Sequence, residues 1–212
     1  MLSLSLPPRE PADPSMCAPA RRPGLRVHGP DSAGRDAVEA FIHEVYRRRY
    51  GARVRHFAPV LVSLRDPASG EVVSAAGYRS AAQGPLFLEH YLEAPVETLL
   101  ERHAGAAPQR ASIVELGHLA ASRAGEGRRL IREIGPHLAA CGFQWGVCTL
   151  TRELRHLFVR LGIAQMALGR ADPAALGTQA ADWGRYYEHS PVVVAGQLQL
   201  ALQGLARRGD PA

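Results

Sequence analysis

Apolar residues recur with two different periods along the chain, and this predicts alternating helices and strands. The first helical spacing joins Val38, Phe41, Ile42, Val45 and Tyr46. This helix should run to Tyr50, with Gly51 as its stop, and Asp31 or Ser32 should cap its first turn. The same spacing predicts helices over Val96–His103, Arg128–Ala140 and Arg152–Leu161.

Short apolar runs bounded by turn residues predict the strands. They are Leu25–His28, Ala58–Leu64, Glu71–Tyr78, Ile113–Ala120, Gln144–Thr149, Ile163–Leu168 and Val192–Ala195. Arg65–Gly70 contains Asp, Pro and Gly, which predicts a hairpin turn between the second and third strands. The order of elements predicts an α/β (α+β) protein built on one central, mixed and largely antiparallel sheet flanked by helices.

The ends of the chain differ from its middle. Residues 1–23 are rich in Pro, Ser and Arg without periodicity, which predicts a disordered leader. A single domain over residues 24–208 and a tail over 209–212 should follow. The first residues lack the basic and apolar regions of a secretory signal, and no apolar run is long enough to cross a membrane. We therefore expect a cytoplasmic protein.

Composition and charge limit the kinds of ligand that this protein is expected to bind. Hydrophobic residues at 46% and charged residues at 21% are typical of a globular protein. The net charge is +5 and all 25 basic residues are arginine, which suits an anionic ligand. Only Arg47–Arg49 form a run, at the end of the first helix, so the sequence does not predict a nucleic-acid surface. The histidines show no metal-ligand spacing, and we expect no metal.

A loop with two glycines separates the fourth predicted strand from the next helix. Backbone N–H groups at a helix N-terminus bind phosphate groups, and Gly125 and Gly127 would let an anion approach closely. Arg123, Arg128 and Arg129 add positive charge. The spacing matches neither the dinucleotide-binding pattern nor the P-loop. The loop is therefore either an anion site or an ordinary turn.

The order strand, loop, helix, strand and helix, ending in Leu157–Ile163, resembles the acyl-CoA-binding half of the GNAT superfamily of N-acetyltransferases. In that superfamily a basic residue and two glycines after the fourth strand hold the pyrophosphate of coenzyme A. Arg123–Arg128 departs from that spacing by one residue. The resemblance implies a GNAT-like domain with a V-shaped gap for the cofactor between the strands around Glu115 and Thr149.

A longer resemblance covers residues 25–200. Its motifs are Gly84–Leu92, Val114–Arg129, Cys148–Ile163, Ala171–Pro173 and Trp183–Tyr187. Together they resemble the thermostable hemolysin family, with the departure that we expect Asn where His118 stands. The family name refers to haemolysis, whereas its sequence pattern is similar to acyltransferases, including acyl-homoserine-lactone synthases. The resemblance therefore implies an acyltransferase-like enzyme.

Acyl transfer from a thioester to an amine needs a base and hydrogen-bond donors. We expect Glu115 to be the base, His118 to relay protons and Tyr187 to protonate the leaving thiolate. The alternatives are a polar sheet position for Glu115, a structural role for His118 and aromatic packing for Tyr187. The segment Glu89–Tyr91 either lines the acceptor pocket or lies on a helix surface.

The expected co-substrate is an acyl-CoA or the acyl-phosphopantetheine of an acyl carrier protein, and the expected acceptor is a small-molecule amine. The predicted donor-binding residues are Leu119, Ala120, Arg123, Gly125, Glu126, Gly127, Arg128, Thr149 and Arg155. For Arg155, a place on a solvated helix face is an equal alternative.

Two other functions remain open at this point. Residues 192–208 place Leu198, Leu202 and Leu205 on one stripe with a basic end. Such a segment either lies on an anionic membrane, as in a membrane-active hemolysin without enzymatic activity, or completes the core. The third possibility is a catalytically dead GNAT-like binding module. We favour the acyltransferase over the membrane surface.

Overall fold

The computed structural model describes residues 24–208. The predicted leader and tail lie outside these residues. The strands are β1 (Leu25–His28), β2 (Val60–Arg65), β3 (Val72–Ser80), β4 (Ile113–Ala121), β5 (Trp145–Leu150), β6 (Met166–Arg170) and β7 (Val192–Gln197). The α-helices are α1 (Arg35–Tyr50), α2 (Val96–Ala104), α3 (Glu126–Ala140), α4 (Arg152–Arg160) and α5 (Leu198–Arg207).

The seven strands form one sheet in the order β1-β2-β3-β4-β5-β7-β6. Only β4 and β5 run parallel, and every other neighbouring pair in this sheet is antiparallel. A parallel pair needs a long crossover, and α3 supplies it. This confirms the predicted fold class, a mixed and largely antiparallel sheet flanked by helices.

Helices cover both faces of the sheet because the side chains of each strand alternate between them. On one face, α3, α4 and α5 pack in the largest core, where Leu130 and Ile134 of α3 join Val62 and Leu64 of β2. On the other face, α1 packs against residues such as Leu61. The remainder of that face is covered by α2 and a 3₁₀ turn over Phe87–Tyr91.

Some predicted boundaries were wrong. Helix α1 begins at Arg35 after Gly34, whose φ is 80°, and neither Asp31 nor Ser32 caps it. The Ser32 hydroxyl instead accepts a hydrogen bond from the Gly29 amide at 2.8 Å, which builds the turn before the helix.

The sixth strand also begins later than predicted, at Met166. The reason is that the amide of Ile163 donates to the carbonyl of Phe158 at 2.9 Å and so closes the end of α4. Helix α3 begins two residues earlier than predicted, at Glu126, and Pro136 lies inside it.

The C-terminal segment completes the fold. Strand β7 lies between β5 and β6, and α5 packs against α3. Leu198 and Leu205 are buried in the largest core, and Leu202 packs against it. The apolar stripe of residues 192–208 is therefore covered by the protein itself. Within residues 24–208, no helix has the length and apolar character needed to span a bilayer.

Candidate functional site

Strands β4 and β5 pair only along their first halves. Four residue pairs join them, from Ile113–Trp145 to Leu116–Cys148. Beyond that point β4 continues to Ala121 beside β3, and β5 continues to Leu150 beside β7. The sheet therefore opens into a V-shaped gap after Leu116.

A β-bulge lies on β4 at the start of this gap. Gly117 pairs with Gly77 and Ala120 pairs with Ala75, so Ala76 alone faces both His118 and Leu119. His118 adopts a φ of 54°, which costs a residue other than glycine about 1–2 kcal/mol. A bulge interrupts the hydrogen-bond ladder and bends its strand. It therefore accounts for the divergence of β4 from β5.

A groove of about 770 Å³ lies at the open end of the gap. It is bounded by the last turns of α1, the end of β4, the β4–α3 loop and the facing sides of α3 and α4. Because α1 lies on one face of the sheet and α3 and α4 on the other, the groove extends across the gap. Of the predicted donor-binding residues, these line it: Leu119, Ala120, Arg123, Gly125, Gly127 and Arg128.

The groove is strongly basic. Its lining includes Arg48, Arg49, Arg123, Arg128 and Arg160, and it includes no acidic residue. Arg123 forms only a long ion pair of 3.4 Å with an aspartate of the β2–β3 turn. Arg128 forms no ion pair with any residue from 24 to 208. Arg48 pairs with Glu44 of its own helix at 3.2 Å, so the charge that is left unneutralised is mainly that of Arg128. Such a charge suits a phosphate-bearing ligand.

The N-terminus of α3 faces this groove. Gly125 precedes the helix with a φ of 93°, and no side chain caps the first turn. The first amides of a helix have no partner within the helix and carry the positive end of its dipole. A Cβ on Gly127 would lie 3.7 Å from the Cβ of Ala121, an ordinary contact, so the helix start lies close against β4.

Three predicted donor-binding residues lie outside the groove lining. Glu126 pairs with Arg129 of its own helix at 3.6 Å. Thr149 lies on β5 just past the last β4 pair, and its carbonyl accepts a hydrogen bond from Tyr186 at 3.2 Å. Arg155 donates to the carbonyl of Ser190 at 3.4 Å, which ties α4 to the segment before β7.

Glu115 lies beside the gap, on the sheet face covered by the 3₁₀ turn. Its two carboxylate oxygens accept hydrogen bonds from the amides of Phe87 and Leu88 at 2.9 and 3.0 Å. Burial raises the pKa of Glu115 above its ordinary value, although both amides act in the opposite direction. A partly buried carboxylate with a raised pKa is suited to act as a general base.

Two tyrosines form a hydrogen-bonded pair, and one of them, Tyr91, is near enough to Glu115 to respond to its charge. The hydroxyl groups of Tyr187 and Tyr91 are 2.8 Å apart. Burial raises the pKa of both phenols, and the charge of Glu115 contributes to the rise at Tyr91. Both phenols are therefore protonated at neutral pH. Tyr187 is thus linked to Glu115 only through Tyr91.

The imidazole of His118 is held away from this pair. Its Nε2 donates to the carbonyl of His56 at 3.1 Å, and its ring packs at a tilt against Phe57, with the ring centres 5.6 Å apart. Desolvation by burial lowers the pKa of His118 to about 4, so the ring is neutral at pH 7. Nδ1 is buried without a hydrogen-bond partner. What His118 contributes to the gap is its backbone, at the bulge.

The sequence of this chain matches the profile of one known protein family. The sequence profile described as Thermostable hemolysin matches residues 28–202. The chain belongs to the thermostable hemolysin family. No curated relative matches its sequence.

Several solved structures have a fold similar to that of this chain. TofI, in a ternary complex with an inhibitor and MTA, is 19% identical over 86% of this chain and 96% of its own, with a TM-score of 0.60. The acyl-homoserine-lactone synthase LasI is 16% identical over 85% and 94%, with a TM-score of 0.56. FeeM, an N-acyl amino acid synthase from uncultured soil microbes, is 13% identical over 85% and 98%, with a TM-score of 0.56. This chain thus shares the fold of these three proteins.

The sequence did not indicate that α1 contributes to the groove, and on α4 it indicated Arg155, whereas Arg160 lines the groove. The arginines at the end of α1 complement the helix dipole, and nothing in their spacing links them to the loop after β4. Arg160 lies in a helix whose apolar spacing predicts only burial of the opposite side. These residues meet only because β4 and β5 diverge.

Proposed function

We propose that this member of the thermostable hemolysin family is an N-acyltransferase. It moves an acyl group from an acyl-CoA, or from the acyl-phosphopantetheine of an acyl carrier protein, to the amine of a small molecule. The observation that supports this most directly is the basic groove at the opening between β4 and β5, because it runs from a free helix N-terminus to the gap beside Glu115.

The donor fits this groove by charge and by shape. Its phosphate groups would bind the first amides of α3 together with Arg123 and Arg128, in the way that helix N-termini bind anions. The pantetheine arm would lie along Leu119 and Ala120, where β4 has lost its neighbour β5. This orientation points the thioester toward the bulge at His118.

The residues at the gap have the properties that the transfer requires. Glu115 would take a proton from the ammonium group of the acceptor, and the freed amine nitrogen would attack the thioester carbon. A C–N bond forms and the C–S bond breaks. Tyr187 gives its proton to the leaving sulfur, and the second proton of the attacking nitrogen restores the phenol. The products are an amide and a free thiol. Both donors are cytoplasmic compounds, and we propose that the protein acts in the cytoplasm.

The membrane-active alternative lacks comparable support, because the apolar stripe of α5 packs in the core. A leakage assay with liposomes of anionic lipid tests it directly. We expect no dye release by the purified protein.

Donor binding is tested by thermal shift and calorimetry with acyl-CoA thioesters of increasing chain length and with an acylated carrier protein. Arg128→Glu is compared with Arg132→Glu. Arg132 lies one turn further along α3 and donates to the carbonyl of Arg208 instead of lining the groove. We expect Arg128→Glu to weaken binding by about 10-fold or more, as for loss of a charged hydrogen bond, and the control to bind as the wild type does.

Turnover is followed as release of free thiol, with the acylated product identified by mass spectrometry. If none of the thioesters raises the melting temperature of the wild type, the proposed function is wrong. Equal losses in Arg128→Glu and Arg132→Glu would contradict the assignment of the groove.

A further inference from the structure

Arg79 lies directly across from Glu115 in the sheet. Position 79 of β3 is the Cα partner of position 115 of β4. The neighbouring Tyr78 points to the opposite face, where its hydroxyl lies 2.9 Å from a ring nitrogen of His137 on α3. Alternation along the strand therefore places Arg79 on the same face as Glu115. Both side chains are partly exposed.

The charge of Arg79 favours the ionised form of Glu115, but the two side chains form no direct contact. Each oxygen of Glu115 accepts one hydrogen bond from a backbone amide and keeps a second acceptor position, and no ion pair joins the carboxylate to Arg79. The Nε of Arg79 is buried without a partner. A buried guanidinium nitrogen without an acceptor is costly, so an acceptor supplied by a ligand would be strongly favoured.

A comparison with other arginines shows how unusual a side chain without any hydrogen bond is in this fold. In residues 24–208, four arginines have a buried Nε without a partner, namely Arg65, Arg79, Arg132 and Arg155. Three of them donate from another nitrogen to a backbone carbonyl, at Gly70, Arg208 and Ser190 respectively. Arg79 is the one of the four whose side chain donates no hydrogen bond to any described residue.

Space for a ligand lies on the same face. Gly117 follows Glu115 by two positions on β4, and a Cβ built on it would meet no atom within 4 Å. Gly117 is also partly exposed. The open volume is thus beside the carboxylate and at the point where the gap begins.

We propose that the acceptor amine also carries a carboxylate, and that Arg79 binds this carboxylate while Glu115 binds the ammonium group. Directly paired residues on neighbouring strands lie about 5 Å apart, a spacing that a single amino-acid head group can bridge. An arginine holds a carboxylate through parallel hydrogen bonds, which also orients the amine. The substrate class is therefore an α-amino acid or a close relative. This inference rests on the proposed function, because it places the acceptor on the Glu115 side of the gap.

The test compares standard amino acids with the amines obtained by their decarboxylation, for example phenylalanine with phenethylamine. Each is assayed as acceptor in the thiol-release reaction, and each is also titrated alone by calorimetry. The variants are Arg79→Met, which removes the charge and keeps much of the volume, and the control Arg132→Met on α3.

We expect the wild type to prefer at least one amino acid over its decarboxylated amine by about 10- to 100-fold in kcat/KM, the range for a charge-assisted hydrogen bond. Arg79→Met should remove this preference by raising KM for the amino acid, with donor binding unchanged. Arg132→Met should retain the preference. A merely structural role for Arg79 would lower turnover of both acceptors alike.

The inference is overturned if the wild type uses amino acids and decarboxylated amines equally well, or if Arg79→Met keeps the preference. In that case donor binding and turnover still support the proposed function. If no acceptor turns over, calorimetry decides: absence of amino-acid binding to the wild type also overturns the inference.

Discussion

Substitution of Gly117 separates the function of the gap from the stability of the fold. The φ of Gly117 lies outside the left-handed region, and a Cβ there would meet no atom within 4 Å. Valine can therefore adopt the native backbone. Replacing glycine at such a position stabilises a protein by about 0.4–1 kcal/mol through the unfolded chain. For a domain of this size, that corresponds to a rise in Tm of at most about 4 °C.

Activity should change in the opposite direction. The isopropyl group of valine would occupy the space beside Glu115 that the acceptor needs. The reacting atoms must approach to about 3–3.5 Å, and a misplacement of about 1 Å costs roughly 100-fold. We therefore expect Gly117→Val to lower kcat/KM by about 100-fold or more, and Gly117→Ala to give a smaller loss.

The measurement combines thermal unfolding with the thiol-release assay. Gly146→Ala is the matched control on β5, because its Cβ would make an ordinary 3.6 Å contact with Leu198 on the other face of the sheet. We expect this control to retain wild-type activity. A stable Gly117→Val protein with wild-type kcat/KM would refute the placement of the acceptor at this gap.

Further predictions concern stability and pH. Gly204→Ala should destabilise the fold by about 4 kcal/mol or more, since its Cβ would lie 1.9 Å from the carbonyl oxygen of Gly162; a loss under about 1 kcal/mol in urea unfolding would contradict this. Tyr186→Phe should cost about 1–3 kcal/mol, because the carbonyl of Thr149 loses its donor; an unchanged unfolding midpoint would argue against that bond. For Glu115, whose pKa is raised in the fold, kcat/KM should fall as the pH drops through that pKa, because the base must be ionised. Folding favours the protonated form of Glu115, so the contribution of this carboxyl group to stability is present in acid and is lost as the pH rises through the raised pKa. Glu115→Gln should abolish both the pH dependence of kcat/KM and this pH dependence of the unfolding free energy.

Most elements of the fold could be predicted from local patterns. The buried face of α1 repeats at helical spacing, and the β2–β3 hairpin has strong turn residues. The errors fall at element ends, as at Gly34, where the geometry of a cap depends on the residues that surround it. Local spacing contains no information about those neighbours.

The candidate site was predictable only in part. The loop at Gly125 and Gly127 indicated an anion site, and Glu115 was identified as the candidate base. Arg79 gave no signal, because it lies one residue beyond the predicted strand Glu71–Tyr78 and belongs to no motif. Its significance comes from its pairing with Glu115 in the antiparallel register of β3 and β4.

The sequence by itself determined the sequential order of strands and helices, the faces that they bury and the basic loop before α3. These properties depend on residues close together in the chain. Only the tertiary structure decided that β4 leaves β5 after Leu116, that arginines of α1 and α4 surround the opening, and that the side chain of Arg79 donates no hydrogen bond within residues 24–208. Each of these depends on the register and packing of segments far apart in sequence, which no local pattern encodes.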